Sequence, residues 1–175
     1  MNSLTIVIPT TGRDTLERAS ASAWAAADEV IVVHDDGRYG APGLARNAAA
    51  DQVRTSHVGF LDDDDVLIPE VYRRVTLDVH PAAPMVIHTM WTPDLGPVPR
   101  PGWPIQLGNV GISFALRAEV FRQHRFIAGP PLTMRGEDFE LVRRLMDLNY
   151  PIALSQEVAY LARPEDHRWP SLTAT

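Results

Sequence analysis

Val58–Glu70 reads VGFLDDDDVLIPE, and the architecture of the chain turns on it. The apolar run His57–Leu61 reads as a strand. It leads straight into Asp62, Asp63, Asp64 and Asp65, and a helix opens at Pro69 with Glu70 in its first turn. Strand, acidic turn and helix form one unit of an alternating α/β chain. Four adjacent carboxylates repel one another. A divalent cation relieves that repulsion, and hard carboxylate oxygens suit Mg²⁺ or Mn²⁺. The plain alternative is a solvated turn capping the Pro69 helix. Four acids directly behind an apolar strand weigh against it.

Upstream, Leu4–Pro9 is a short apolar strand stopped by Pro9 and the turn residues Thr10–Gly12. Asp14–Ala27 reads as a helix with Asp14 as its N-cap. Glu29–His34 is a near-continuous Val/Ile run, expected as a second buried strand, with His34 expected as core or strand-end packing rather than a ligand. A loop, Asp35–Gly43, follows, and then a short helix over Leu44–Gln52. Downstream, the spacing predicts a helix over Pro69–Val79 and a strand over Met85–Thr89. Trp91–Pro104 holds five prolines and two tryptophans and reads as a loop or loose hairpin. A strand over Asn109–Leu116, a helix over Ala118–Gln123 and a Pro/Gly loop over Arg125–Arg135 come next. Glu137–Asn149 is an amphipathic helix, with Phe139, Val142, Leu145, Met146 and Leu148 expected on one face. Ile152–Leu154 and Val158–Leu161 are late strands, and a polar, loosely held tail begins at Arg163. The pattern predicts a single α/β, Rossmann-like domain over residues 1–175, with a mostly parallel sheet flanked by helices.

The 175 residues carry 22 acidic and 16 basic side chains, a net charge of −6, which disfavours a broad nucleic-acid surface. Every basic residue is arginine, so lysine Schiff bases, lysine general bases and P-loop lysines are excluded. The absence of cysteine excludes disulfides and thiolate chemistry. No apolar run approaches the ~20 residues of a membrane helix. The N-terminus reads as a strand rather than a leader, which makes a cytoplasmic protein the expectation.

In open α/β sheets ligands bind beyond the carboxyl ends of the strands. Strand two ends at Asp35 and Asp36 and strand three at Asp62–Asp65, so both acidic groups are expected to face one crevice. Asp35 and Asp36 alone read equally well as turn residues before Gly37. Glu137 and Asp138 alone read as first-turn acids that complement a helix dipole.

Taken in order, these segments resemble the family-2 glycosyltransferases of GT-A fold. TIVIPTTGR at Thr5–Arg13 is similar to that family's opening strand and turn, and EVIVVHDDG at Glu29–Gly37 to its base-binding acidic pair. GLARNAAA at Gly43–Ala50 resembles its G-x-A-x-A-R-N helix start, with shortened spacing. VGFLDDDDVLIPE resembles its D-x-D metal motif. GEDFELVRRL at Gly136–Leu145 resembles its E-D motif, and YLARPEDHRWPS at Tyr160–Ser171 its tail. The resemblance implies a metal-dependent transferase with Mn²⁺ or Mg²⁺ as cofactor. It moves a sugar from a nucleotide-diphosphate donor, UDP-sugar favoured, to an acceptor hydroxyl with inversion. It implies that Pro9, Thr10 and Arg13 border the base and that Asp35 or Asp36 bonds it. Arg46 lies near the nucleotide, Asp62 and Asp63 near the donor, and Asn109, with Gly111 and Ser113, along the donor sugar. Asp64, with Asp62, contacts metal; Asp138, beside Glu137, is the catalytic base; His167 and Arg168 reach metal or phosphate. Trp91 and Trp103 either stack on a sugar ring or pin their loop. Arg73–Arg74 and Arg143–Arg144 are solvated faces.

Two other functions stay open. GFLDDDDV also resembles the nucleophile strand of haloacid-dehalogenase phosphatases, although that strand normally comes first and a downstream lysine or arginine is wanted. A non-catalytic module binding a nucleotide-sugar or glycan is the second.

Overall fold

β1 (Leu4–Thr10) is buried along its whole length, because it lies between two parallel neighbours and under helices. The structure, a computed structural model, describes residues 2–127 and 136–166. On one side β1 pairs with β2 (Glu29–His34), on the other with β3 (His57–Phe60), both in parallel. β2 is an edge strand, so its Val/Ile run is largely half-buried rather than enclosed as expected. The helix between them, α1 (Leu16–Ala26), packs through Ala19, Ala23 and Ala26, small side chains on one stripe. Its N-cap is Thr15, with no side-chain cap bond, so the expected capping by Asp14 is not made. α2 (Pro42–Ala48) opens two residues earlier than expected, on Pro42, whose fixed φ suits a first helical turn.

Beyond β3 the expected mostly parallel sheet becomes mixed, in the order β2-β1-β3-β7-β5-β8-β4, with β6 beside β5. β4 (Val66–Leu67) and α3 (Pro69–Arg74) follow the acidic run, and α3 continues as a π-helical stretch, Val75–Val79. β5 (Met85–Thr92) turns back into β6 (Gly96–Val98), so the proline-rich segment begins as a hairpin. β7 (Phe114–Arg117) runs antiparallel to both β3 and β5. The reason is the connection: no crossover helix separates β5 from β7, and only a crossover brings a strand back parallel. After α4 (Ala118–Gln123) and α5 (Glu137–Asp147), β8 (Ile152–Leu161) returns parallel to β5 and antiparallel to β4. β8 is one strand with register irregularities where two short strands were expected.

The core under this sheet is aromatic at its centre. Phe60 meets Phe114, Phe121 and Phe126 edge-on at centroid distances of 5.7, 5.1 and 5.2 Å. Gly59 has no room for a side chain: a Cβ there would fall 2.4 Å from the Tyr72 hydroxyl and 2.8 Å from Ile6 Cδ1. α5 buries Leu141, Val142 and Leu145, while Met146 and Leu148, expected on that face, are exposed. The start of the tail is held rather than loose: Arg163 N donates to Asp65 (2.8 Å) and Glu165 pairs with Arg18. Among the described residues no helix is long and apolar enough to cross a membrane.

Candidate active site

The carboxyl ends of β1, β2 and β3 come together around one pocket of about 110 Å³, open to solvent and lined by Pro9, Thr10, Thr11, Arg13, Asp35, Pro42, Asp62 and Asp63. The expected meeting of the two acidic loops is therefore made by Asp35 and by Asp62 with Asp63. Asp35 Oδ1 accepts the Gly37 amide at 2.9 Å, which folds the loop so that the carboxylate borders the pocket. Asp36 instead pairs with its neighbour Arg38 at 2.6 Å, both 62 % exposed, and does not line the pocket.

The four consecutive aspartates sit in four different environments. Asp62 accepts from Arg46, and its amide donates to the Tyr160 hydroxyl at 3.1 Å. Asp63, buried, accepts from Thr10 Oγ1 at 2.6 Å and lies 3.3 Å from Arg13. Asp64 is partly exposed and pairs with Arg13 at 2.5 Å. Asp65 is buried away from the pocket, accepting from the Tyr160 hydroxyl (2.7 Å) and the Arg163 amide (2.8 Å). Burial, aided by the Asp62 charge, raises its carboxyl to about 7.

Behind Asp62 the site gathers around Arg46, 2 % exposed. One terminal nitrogen donates to Glu137 Oε1 at 2.8 Å and lies 3.5 Å from Asp138 Oδ1; the other bonds Asp62. Burial works against its charge, but Asp62, Asp138 and Glu137 more than offset that and raise its pKa. Asp138, at the start of α5, is raised to about 7 by burial, with Asp62 and Glu137 adding to the rise and Arg46 opposing it. A helix N-terminus should favour the charged carboxylate; here burial outweighs it. A carboxyl near 7 is matched to taking a proton from a hydroxyl at neutral pH.

Arg46, which the resemblance placed near the nucleotide, does not line the pocket and sits between the aspartate loop and α5. Asn109 is also spent elsewhere: its side chain accepts from Arg100 N and donates to Pro104 O, both at 2.8 Å, pinning its own loop. Ser113 is buried and donates to the His88 carbonyl at 2.8 Å. Trp103 is 53 % exposed with Arg100 over its ring, and Trp91 sits in β5. His167 and Arg168 lie outside the described residues.

Among the described residues no three His, Asp or Glu side chains group as a complete metal site. The donors present are carboxylates at the pocket: Asp62 and Asp63 in its wall, Asp64 beside them on Arg13. That set fits Mg²⁺ or Mn²⁺ in the form that takes one or two protein carboxylates and completes its shell with phosphate oxygens and water. Residues the sequence did not single out complete the site. Thr11 and Pro42 are visible only as neighbours of motif residues, whereas Tyr160, 95 positions from Asp65, carries no local signal.

A central sheet flanked by helices, with a pocket and an aspartate run at its β1–β3 edge, agrees with the GT-A fold expected above, except that the sheet is mixed rather than mostly parallel. No protein-family model and no curated protein matches the chain. Among solved structures it is similar to residues 1–349 of TarS from S. aureus (TM-score 0.69, 21 % identity), over 94 % of this chain and 61 % of that one. It is similar too to the catalytic domain of Drosophila β1,4-galactosyltransferase 7 (TM-score 0.59, 15 % identity, 91 % and 68 % of the two chains). A nucleotidyl transferase from Methanothermobacter matches at TM-score 0.60 and 12 % identity, over 90 % of this chain and 89 % of that one. At these identities what is shared is the fold.

Proposed function

We propose that the chain is a metal-assisted glycosyltransferase that takes a sugar from a nucleoside-diphosphate donor, UDP-sugar favoured, and passes it with inversion to an acceptor hydroxyl. The observation that carries this is the convergence of Asp35, Asp62 and Asp63 on one pocket, with Asp138 tied to Asp62 through a single guanidinium. TarS with UDP-GlcNAc and the Drosophila enzyme with manganese and UDP-Gal, of the same fold, support the choice of donor and ion.

In this reading Asp35 accepts a hydrogen bond from the base, while Pro9 and Thr10 wall it. Asp62 and Asp63 face the ribose and diphosphate, and Arg13 lies beside the phosphates. Asp64, with Asp62 beside it, would hold a divalent cation, which would supply neutralisation of the charge that grows on the leaving diphosphate. Asp138 takes the acceptor's proton as its oxygen bonds to the anomeric carbon; the bond from that carbon to the phosphate oxygen breaks, and the nucleoside diphosphate leaves with the electron pair. A phosphatase is disfavoured because Asp62, its required nucleophile, follows the third strand of the chain rather than the first.

The test is thermal melting with UDP, GDP and dTDP, each with and without Mn²⁺. A nucleotide at about 100 times its Kd stabilises by about 2.7 kcal/mol. One nucleotide should give a shift that needs Mn²⁺ and disappears in Asp64→Ala. Binding without transfer or hydrolysis of any nucleotide-sugar would instead make the chain a binding module. The near-complete overlap with the nucleotidyl transferase favours a second reading, nucleotidyl transfer. Release of pyrophosphate from a nucleoside triphosphate identifies it.

A further inference from the structure

We infer that Arg46 is a positioning residue that sets the acid of α5 and the aspartate loop in register across the site, and that it does not contact the nucleotide. This rests on the transferase reading above.

The geometry assigns the role. Arg46 reaches Asp62, 16 residues on, and Glu137, 91 residues on, with its two terminal nitrogens, while its Nε has no hydrogen-bond partner. Both terminal nitrogens are committed to carboxylates, and the side chain is buried and does not line the pocket, so it is turned to the protein rather than to a diphosphate. Its plane is held too: the guanidinium carbon lies 5.5 Å from the centre of the Phe126 ring. Phe126 is itself clamped by the next residue of α2, since Asn47 accepts from its amide (3.0 Å) and donates to its carbonyl (2.8 Å). One turn earlier, a Cβ at Gly43 would fall 2.8 Å from Phe126 Cβ and 3.0 Å from Glu137 Oε2. Gly43, Arg46 and Asn47 therefore share one task. They draw Phe126 and the start of α5 against α2, and Arg46 ties that assembly to Asp62. Asp62 borders the donor and Asp138 meets the acceptor, so the fork fixes the distance between the two reactants' contacts. Misplacement by about 1 Å can cost on the order of 100-fold in rate. Lysine cannot replace a planar fork here, because it is a point charge that satisfies one partner geometry at a time.

The experiment compares wild type with Arg46→Lys, Arg46→Met and Glu137→Gln. UDP affinity is measured by calorimetry with Mn²⁺, and UDP release is followed from the UDP-sugar that wild type turns over fastest, beginning with UDP-GlcNAc and UDP-galactose. Arg46→Lys should hold UDP within about threefold of wild type and lower kcat by about 30-fold or more, with Arg46→Met lower still. Glu137→Gln keeps an acceptor for Arg46 and guards against loss of folding in the arginine variants. It should lower kcat by roughly three- to tenfold with UDP affinity and melting temperature unchanged. A tenfold loss of UDP affinity with kcat retained, or kcat unchanged in both Arg46→Lys and Glu137→Gln, overturns the assignment. A wild type that binds none of UDP, GDP and dTDP and releases none of them from its nucleotide-sugars sinks the transferase reading and this inference with it, an outcome recognisable because it appears in the unaltered chain.

Discussion

The two halves of the sheet are built differently. β1, β2 and β3 are parallel neighbours joined by short crossovers, and they place their carboxyl ends, with Pro9, Thr10, Asp35 and Asp62, at one pocket. The half made of β5, β7 and β8 mixes directions, and the helix before β8 supplies Asp138. In the proposed reading the first half recognises the donor with motifs that lie close to its strands, and the second supplies the proton acceptor, whose environment is assembled from distant segments, Asp62 and Arg46 on one side and Glu137 on the other. If binding and chemistry are divided in this way, substitutions in the two halves should separate affinity from turnover.

The largest separation is expected at Asp138. Asp138→Asn should lower transfer by about 10²–10⁴-fold while leaving nucleotide affinity within a few-fold. Equal losses of both would erase the division. In wild type, kcat should fall about tenfold per unit as pH drops below about 7, because Asp138 then holds the proton it must accept. The sign for stability is the reverse. Between the ordinary carboxylate value near 4 and the folded value near 7 the native state binds the extra proton, so stability falls as pH rises through that window. Urea titrations at pH 4.5 and 7.5 should differ in that direction by about 1–3 kcal/mol, and Asp138→Asn should shrink the difference without abolishing it. Asp65, raised by burial in the same sense, accounts for the remainder.

A smaller effect is expected in the recognition half. Asp35→Ala should weaken nucleotide binding by about 10- to 100-fold, the value of one hydrogen bond to a charged acceptor, with kcat at saturating donor retained. Calorimetry and initial rates on one preparation read both quantities. A fall in kcat with affinity intact would move Asp35 out of the base site and blur the comparison.

How far the sequence disclosed this arrangement follows the same division. β2 and α4 stand at their expected bounds, and β1 and β3 within a residue, because apolar runs ending in Pro or Asp are local signals. The mixed direction of the rest was not legible, since it depends on the missing crossover between β5 and β7. Within the site, Asp35, Asp62 and Asp138 were visible as strand-end or helix-start acids. The partners that differentiate them were not: the motif marked Arg46 as lying near the nucleotide but not as bound to Glu137 and Asp138, and nothing near Asp65 announces Tyr160. Asn109 shows the opposite failure, a motif-placed polar residue absorbed by its own loop.

The smallest expected effect decides between neighbours. Asp35 and Asp36 are identical in type and adjacent, and the sequence left them interchangeable. Asp35 borders the pocket with its loop folded onto it, whereas Asp36 faces solvent and is bound to Arg38 two residues on. An ion pair this exposed and this local is screened by water and holds no distant element in place. Asp36→Ala should therefore leave nucleotide affinity, kcat and melting temperature at wild-type values, against the 10- to 100-fold loss expected one position earlier. If Asp36→Ala weakens binding and Asp35→Ala does not, the loop after β2 adopts the other register when it meets its ligand, and the recognition half is less preformed than its strands suggest.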